Sequence, residues 1–379
     1  MTEFLPPFIF STTLMKRHAG EFLVIGIPGA TVDDVTRALI REIQPGGFIL
    51  FGRNIKAPQQ LRDLIEDLRS LCEFEPVITI DQEGGRVSRL KEIGAEPPSI
   101  KQLRDKGELS LFARHGELTG KLLRLFGFNL NLCPVLDVSF DDEADNSLKN
   151  RTFGKTAEQV THYSKAFATA MRKEGILTSG KHFPGYSAAG VDPHHELPTI
   201  PRTRKELEAC EWIPYRNLQE ELDTIMIGHA RYLDLDPTGI ASSLSAPIIR
   251  GILHQEWNYQ GCVISDDMDM GAILNEYGFD EAFKKALEAG NDLILLCHRT
   301  EMALQARRIL ETVAEPIKQQ AWDRIDRLRA KFVKPDPFSI DQWKLLDTQV
   351  MDLRVATLGA DQATTRSNDD GKRSPVEVY

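Results

Sequence analysis

Short apolar runs alternate with longer amphipathic stretches along most of the chain. The apolar runs fall at Phe22–Ile27, Gly47–Phe51, Val77–Asp81, Asn129–Leu136, Ile176–His182, Thr224–His229, Cys262–Ser265 and Leu293–Leu296. They are continuous rather than alternating, the pattern of strands buried on both faces of a parallel sheet. Between them, periodic stretches predict helices over Val32–Ile43, Pro58–Cys72, Leu109–Phe126, Ala157–Glu174, Arg204–Leu222, Pro247–Gln255 and Phe279–Ala289. Glu301–Ala314 and Ile317–Phe332 close the series. Thr31 and Thr156 stand where N-caps are expected for the first and fourth of these helices.

Eight strands alternating with helices predict a single (β/α)8 TIM-type barrel. A doubly wound sheet is the competitor, but no GxGxxG follows the first strand. Ionisable residues also recur at strand ends around the whole chain, and in a barrel those ends converge on one mouth. Residues 1–360 are assigned to this barrel. Residues 361–379, rich in Thr, Ser, Asp, Lys and Arg, are expected to form an exposed tail.

Charge narrows the partners. A net charge of −10 over 379 residues argues against nucleic acid and against anionic lipid, both of which favour a basic face. The five cysteines are scattered and carry no CxxC spacing, so buried reduced thiols are expected rather than a disulfide framework or a zinc site. The N-terminal stretch lacks a basic segment ahead of its apolar residues, and no apolar run approaches bilayer length. A cytoplasmic monomer is the expectation.

Chemistry gathers just past several strand ends. Asp81–Leu90, reading DQEGGRVSRL, follows the third strand. Gly84-Gly85 permits a tight turn. Asp81 can accept from hydroxyl groups, and Arg86 and Arg89 can bind an oxygen or orient a carboxylate. The alternative is a turn tied by an internal ion pair. Arg151, within NRTFG (Asn150–Gly154), can reach the same mouth or pair on the surface with the acids of Asp141–Asp145.

Lys181–Pro198, reading KHFPGYSAAGVDPHHELP, is the densest segment. Lys181 and His182 close the fifth strand and point to the mouth. Asp192 and His194 flank Pro193, and a turn can bring carboxylate to imidazole. Such a bond fixes the tautomer and raises basicity, which suits a general acid/base. A metal site of His182, His194 and His195, or a merely capped loop, are the alternatives. Ser265–Met270, reading SDDMDM, starts at the end of the seventh strand. Adjacent strand residues point opposite ways, so one of Asp266 and Asp267 is expected to face the mouth. It would serve as nucleophile or as stabiliser of an oxocarbenium-like cation. N-capping of the next helix is expected to account for one of these acids.

Together these motifs resemble glycoside hydrolase family 3, and within it the compact bacterial β-N-acetylglucosaminidases (β-hexosaminidases) of cell-wall recycling. The diagnostic KHFPGHG…D-S-H…Leu-Pro segment is matched by Lys181, His182, Phe183, Pro184, Gly185, Asp192, His194, Leu197 and Pro198. Tyr186, Ser187 and Pro193 stand where His, Gly and Ser are usual. Asp81–Val87 and Arg89 match a VDQEGGRVQR-like segment. Ser265, Asp266, Asp267 and Met270 match an SDDLSM-like one. GGFILFGRN (Gly46–Asn54) and NRTFG are also similar.

The resemblance implies the roles. Asp266 is the catalytic nucleophile, and Asp192 with His194 is the acid/base dyad. Asp81, Arg89, Arg151, Lys181 and His182 hold the sugar hydroxyls, and His229 sits near the sugar. It implies retention through a covalent glycosyl-enzyme, with no metal and no cofactor. The residues after the eighth strand leave no room for the sandwich domain that many family members add, so the acid/base is expected from the barrel's own loops. The expected substrate is a carbohydrate, such as a peptidoglycan fragment, with a terminal N-acetylglucosamine. Another exo-β-glycosidase (glucosidase or xylosidase), a glycoside phosphorylase, and a catalytically silent sugar-binding barrel are the alternatives.

Overall fold

Eight short parallel strands close on themselves in the computed structural model, which describes residues 17–142, 147–188 and 196–367. They are β1 (Leu23–Gly26), β2 (Gly47–Leu50), β3 (Val77–Ile80), β4 (Leu130–Asn131), β5 (Leu177–Phe183), β6 (Thr224–Ile227), β7 (Cys262–Asp267) and β8 (Leu293–Leu296). Each pairs with the next in sequence, and β8 pairs with β1. Helices flank the sheet, so the fold is the expected (β/α)8 barrel. Every residue of β1, β2, β3, β6 and β8 is buried, which explains sequences apolar but for Thr79 and Thr224. All five cysteines are free thiols. Among the described residues no helix is long and apolar enough to cross a membrane.

The differences from expectation have local causes. β4 is much shorter than Asn129–Leu136, because Pro134 has no N–H to give the ladder. Beyond it only a single bridge, Val135 to Lys181, continues the pairing. The first helix starts at Asp34, capped by Asp33 rather than Thr31: the Asp33 carboxylate accepts the Thr36 N–H at 2.7 Å. Thr156 does cap Ala157–Lys173. The single helix expected over Arg204–Leu222 is two, Arg204–Ala209 and Trp212–Asn217. Pro214 could not bond back to Cys210 in a continuous helix, yet it fits the first turn of a new one.

A further helix, Ile340–Leu358, follows the last one that the sequence pattern predicts. The boundary drawn at residue 360 also falls within packed structure: Ala363 is buried, and the Arg354 guanidinium donates to the carbonyls of Ala363 and Thr365. Residues 361–367 therefore are not a wholly exposed tail, and 368–379 lie outside the described residues.

Two irregularities in register matter for the mouth. Between Gly180 and Phe183, β5 carries one more residue than the facing Ile225–Ile227 of β6. β7 does the same between Ile264 and Asp267, opposite Leu293–Leu295. Bulges of this kind re-aim side chains. The end of β5 is then anchored by Phe183, whose ring lies 5.4 Å from Tyr215 and 5.3 Å from Trp257, both edge-on.

His115, on the helix Leu109–Phe126, is buried edge-on to Phe167 at 5.1 Å, and neither ring nitrogen has a hydrogen-bond partner. Burial pushes its imidazole down to about 3. The unfolded chain takes up that proton near the ordinary value of about 6.5. The neutral ring's contribution is thus complete above 6.5 and declines as pH falls towards 3, by about 1.4 kcal/mol per pH unit. His115→Phe should flatten the loss of melting temperature between pH 6.5 and 4. An unchanged slope would clear His115 as a source of acid sensitivity.

Candidate active site

At the carboxyl ends of the strands a cavity is bordered by Asp81, Arg151, Lys181, His182, Asp266 and Asp267, with Tyr186 and Phe51 among the aromatic wall. Three segments build its charged floor. Asp81 ends the run of β3. The chain then makes a hairpin, Gln82–Gly84 against Val87–Ser88, turning through Gly84 and Gly85 at φ 110° and 57°. Only glycine takes both conformations without strain. Asn131 of β4 clamps the hairpin, accepting the Gln82 N–H at 3.0 Å and donating to the Gln82 carbonyl at 2.9 Å.

Glu83 is the hub of that floor. It is 2% exposed, and its two oxygens accept from Arg151 Nε and Nη2, each at 2.8 Å. Lys181 Nζ lies 2.8 Å from Glu83 Oε1 and donates to Asp81 Oδ1 at 2.6 Å. Arg89 approaches Asp81 at 4.0 Å. Burial alone would raise the Glu83 pKa. Attraction to Arg151 and Lys181 outweighs it and holds the carboxyl well below its usual range. Burial would likewise lower Lys181, but Asp81 and Glu83 keep its ammonium above its ordinary value. Glu83, Arg151 and Lys181 thus hold one another in their charged forms. Arg151 therefore makes a buried bidentate pair with Glu83, and among the described acids of the stretch that follows β4 it is Arg104 and Lys155 that hold Asp142.

His182 borders the same cavity. Its Nδ1 lies 2.8 Å from Asp137 Oδ2, which also accepts the His182 N–H at 3.1 Å. Asp137 Oδ1 accepts the Tyr186 N–H at 2.7 Å. One fully buried carboxylate thus sets both the ring of His182 and the start of the following loop. Sequence reasoning missed Asp137 and Glu83 alike. Glu83 lay inside a motif already singled out. Asp137 ends the apolar run after β4, the strand-end signal used elsewhere in the chain.

Across the cavity, Asp266 is half-buried and its Oδ1 accepts the Asp267 N–H at 2.8 Å. Both border the cavity where a regular strand would offer one, because the bulge in β7 breaks the alternation, yet Asp266 is the one with appreciable exposure. Asp267 is nonetheless turned to β8, accepting from the N–H of Asp269 at 3.0 Å and of Cys297 at 3.2 Å. Burial, then the neighbouring Asp269, raises its pKa well above the usual carboxylate value. Asp269 accepts from the N–H of His298 and Arg299. The helix Gly271–Leu274 has Met270 at its N-cap with no side-chain cap, so capping accounts for none of the three acids.

His229 is buried behind this wall, bonded through Nδ1 to Ser243 at 2.7 Å and through Nε2 to the Asp267 carbonyl at 2.9 Å. It and Arg89 support the cavity from behind rather than border it. Asp192, His194 and His195 lie outside the described residues. Among the described residues no cluster of three metal-ligating side chains occurs.

A parallel barrel whose strand ends gather carboxylates opposite buried cations is built as an enzyme site. The family profile described as the glycosyl hydrolase family 3 N terminal domain matches residues 15–328. A β-hexosaminidase of Alkalilimnicola ehrlichii is 31% identical over 331 residues, 86% of this chain and 91% of that protein. One from Methylococcus capsulatus is 35% identical over 270 residues, 70% and 79% of the two chains. The solved β-N-acetylglucosaminidase of a Paenibacillus species superposes with a TM-score of 0.80 at 30% identity, over 88% of this chain and 68% of that one. The chain belongs to glycoside hydrolase family 3, and the protein is a glycoside hydrolase.

Replacing Glu83 by Gln should destabilise the fold by about 3–5 kcal/mol at neutral pH, because two buried cations lose their shared partner. A carboxylate with a depressed folded pKa contributes fully above its unfolded value of about 4.3 and loses that contribution as pH falls below it. The stability gap between the two proteins, read by denaturant titration, should narrow below pH 4. A gap independent of pH would show that charge on Glu83 is not what holds the cluster.

Proposed function

We propose that the protein is a retaining exo-β-N-acetylglucosaminidase acting on a terminal β-linked N-acetylglucosamine. The observation that carries this reading is the half-buried Asp266 at the end of β7, bordering the same cavity as Asp81, Lys181, Arg151 and His182. The names of the similar proteins, β-hexosaminidase and β-N-acetylglucosaminidase, support the substrate class. Asp81, Arg151, Lys181 and His182 hold the sugar's hydroxyls, with Arg89 and His229 fixing the walls that carry them.

In the first step the Asp266 carboxylate attacks the anomeric carbon as the bond to the leaving oxygen breaks. His194, oriented by Asp192, gives that oxygen its proton. In the second step His194 takes a proton from water, the water oxygen bonds to the anomeric carbon, and the ester to Asp266 breaks, so configuration is retained. The assignment to His194 and Asp192 rests on their match to the family motif. That to Asp266 rests also on its position in the cavity. Asp266 of β7 borders the same cavity as Lys181 of β5 and Arg151 of the loop after β4, whose charges are already paired with Glu83 and Asp81, which suits positive charge developing on the sugar beside Asp266.

Asp266→Asn should reduce turnover of a chromogenic N-acetylglucosaminide by several orders of magnitude while leaving N-acetylglucosamine binding near that of the unaltered protein. Near-normal turnover would move the nucleophile to Asp267. In the same assay, faster cleavage of a glucoside or xyloside would correct the substrate class. Sugar 1-phosphate formed on adding phosphate would mark a phosphorylase, and binding without turnover a silent barrel.

Removing the acid should act through the leaving group. His194→Ala should slow glycosides with poor leaving groups by about 10²–10⁴-fold, the range typical of general acid–base catalysis. Activated aryl glycosides, which depart with little protonation, should suffer less. Equal loss for both would pass the role to His195 or Glu196.

A further inference from the structure

The cluster of charges at the mouth is braced from behind by a segment that lies beyond residues 15–328, the part the family profile matches. Arg354, on the helix Ile340–Leu358, is 2% exposed and fully engaged. Its Nε donates to the Ala363 carbonyl at 2.6 Å, its Nη2 to the Thr365 carbonyl, and its Nη1 to the Glu96 carbonyl at 2.7 Å. The Glu96 carboxylate in turn accepts from the N–H of Ser367 at 3.0 Å and from its hydroxyl at 2.7 Å. Two turns of helix earlier, Asp347 Oδ1 accepts the Ala95 N–H at 2.6 Å. The C-terminal segment thus grips residues 95–96 at two points.

Those residues lead straight to the sugar-binding hairpin. The Gly85 N–H donates to the Pro97 carbonyl at 2.9 Å. A Cβ on Gly84 would stand 2.4 Å from the Pro98 carbonyl oxygen, and one on Gly85 2.5 Å from the Ser99 Cβ. The turn between Glu83 and Arg89 is therefore seated directly on residues 97–99. The next helix, Ile100–Lys106, reaches the other half of the cluster: the Lys101 N–H donates to the Asn150 carbonyl at 3.3 Å, and Arg104 bonds Thr152 on the far side of Arg151. A shift of residues 95–99 would move Glu83 and its partner Arg151 together.

We propose that Arg354 is a positioning residue for sugar binding, acting through residues 95–99 on the Glu83 hairpin and the Arg151 loop. The inference rests on the reading of this cavity as an N-acetylglucosamine site. A buried guanidinium satisfied by three carbonyls from two separate stretches has no slack, so its loss frees both stretches at once. Small displacements at a binding cluster are costly even when their origin is remote.

The full-length protein with Arg354→Met should show KM for an aryl N-acetylglucosaminide, and the dissociation constant for N-acetylglucosamine, raised about tenfold, with kcat near that of the unaltered enzyme. Arg354→Lys should recover part of that loss. Asp347→Ala, which removes the second grip at a half-exposed site, should raise both constants about threefold and serves should Arg354→Met fail to fold. Hydrogen exchange needs no substrate: the amides of residues 82–89 and 150–152 should exchange faster in the variants, while those of β6 and β8 should not change. Lowered melting temperature with unchanged KM and unchanged exchange at the hairpin would overturn the proposal. An unaltered enzyme that neither cleaves nor binds the sugar would sink the functional reading instead, and the exchange data would still decide the brace.

Discussion

A carboxylate buried between two cations is the constraint on which the mouth of this barrel depends. Glu83 has no solvent to share its charge with, so it is tolerable only where Arg151 and Lys181 arrive together. Those three residues come from the hairpin after β3, the loop after β4 and the end of β5. None of the three segments can settle independently, because each would leave an unpaired charge in a low-dielectric interior. Assembly of the barrel and assembly of the charged floor are in that sense one event. The arrangement also leaves Asp81, held by Lys181, oriented at the cavity without being the residue that carries the structural load.

The opposite wall is organised differently. Asp267 and Asp269 are tied to backbone N–H groups just past the ends of β7 and β8, and His229 holds the carbonyl side of the β7 end. Their environment disfavours charge, and both carboxyls sit above their ordinary pKa. Asp266 is the member of the trio with appreciable exposure, which separates it from neighbours of identical chemistry by environment alone.

Much of the barrel was legible because parallel strands buried on both faces must be apolar throughout, and eight such runs stand out in the sequence. What escaped detection was governed by contacts distant in sequence. The helix Ile340–Leu358 has no strand after it to complete the alternation, and its role appears only where Arg354 meets Glu96, 258 residues away. Glu83 is an ordinary acid in a turn until Arg151 and Lys181 close over it. Pro134 and Pro214, by contrast, carried their signal in plain view: a residue without an N–H shortens β4 and splits a helix. The motif match placed Asp81, Arg151, Lys181, His182 and Asp266 around one cavity, whereas Arg89 and His229 lie one layer behind it.

The extra residue that β5 and β7 each carry against a neighbouring strand has a consequence for transplanting this site. In a regular strand, consecutive side chains fall on opposite faces, so Lys181-His182 and Asp266-Asp267 could not both serve one cavity. The chemistry is therefore encoded in a count of residues as much as in their identity. Copying the same amino acids onto an unbulged barrel would bury half of them in the wrong layer, and deleting a single residue from either strand would do the same to this one.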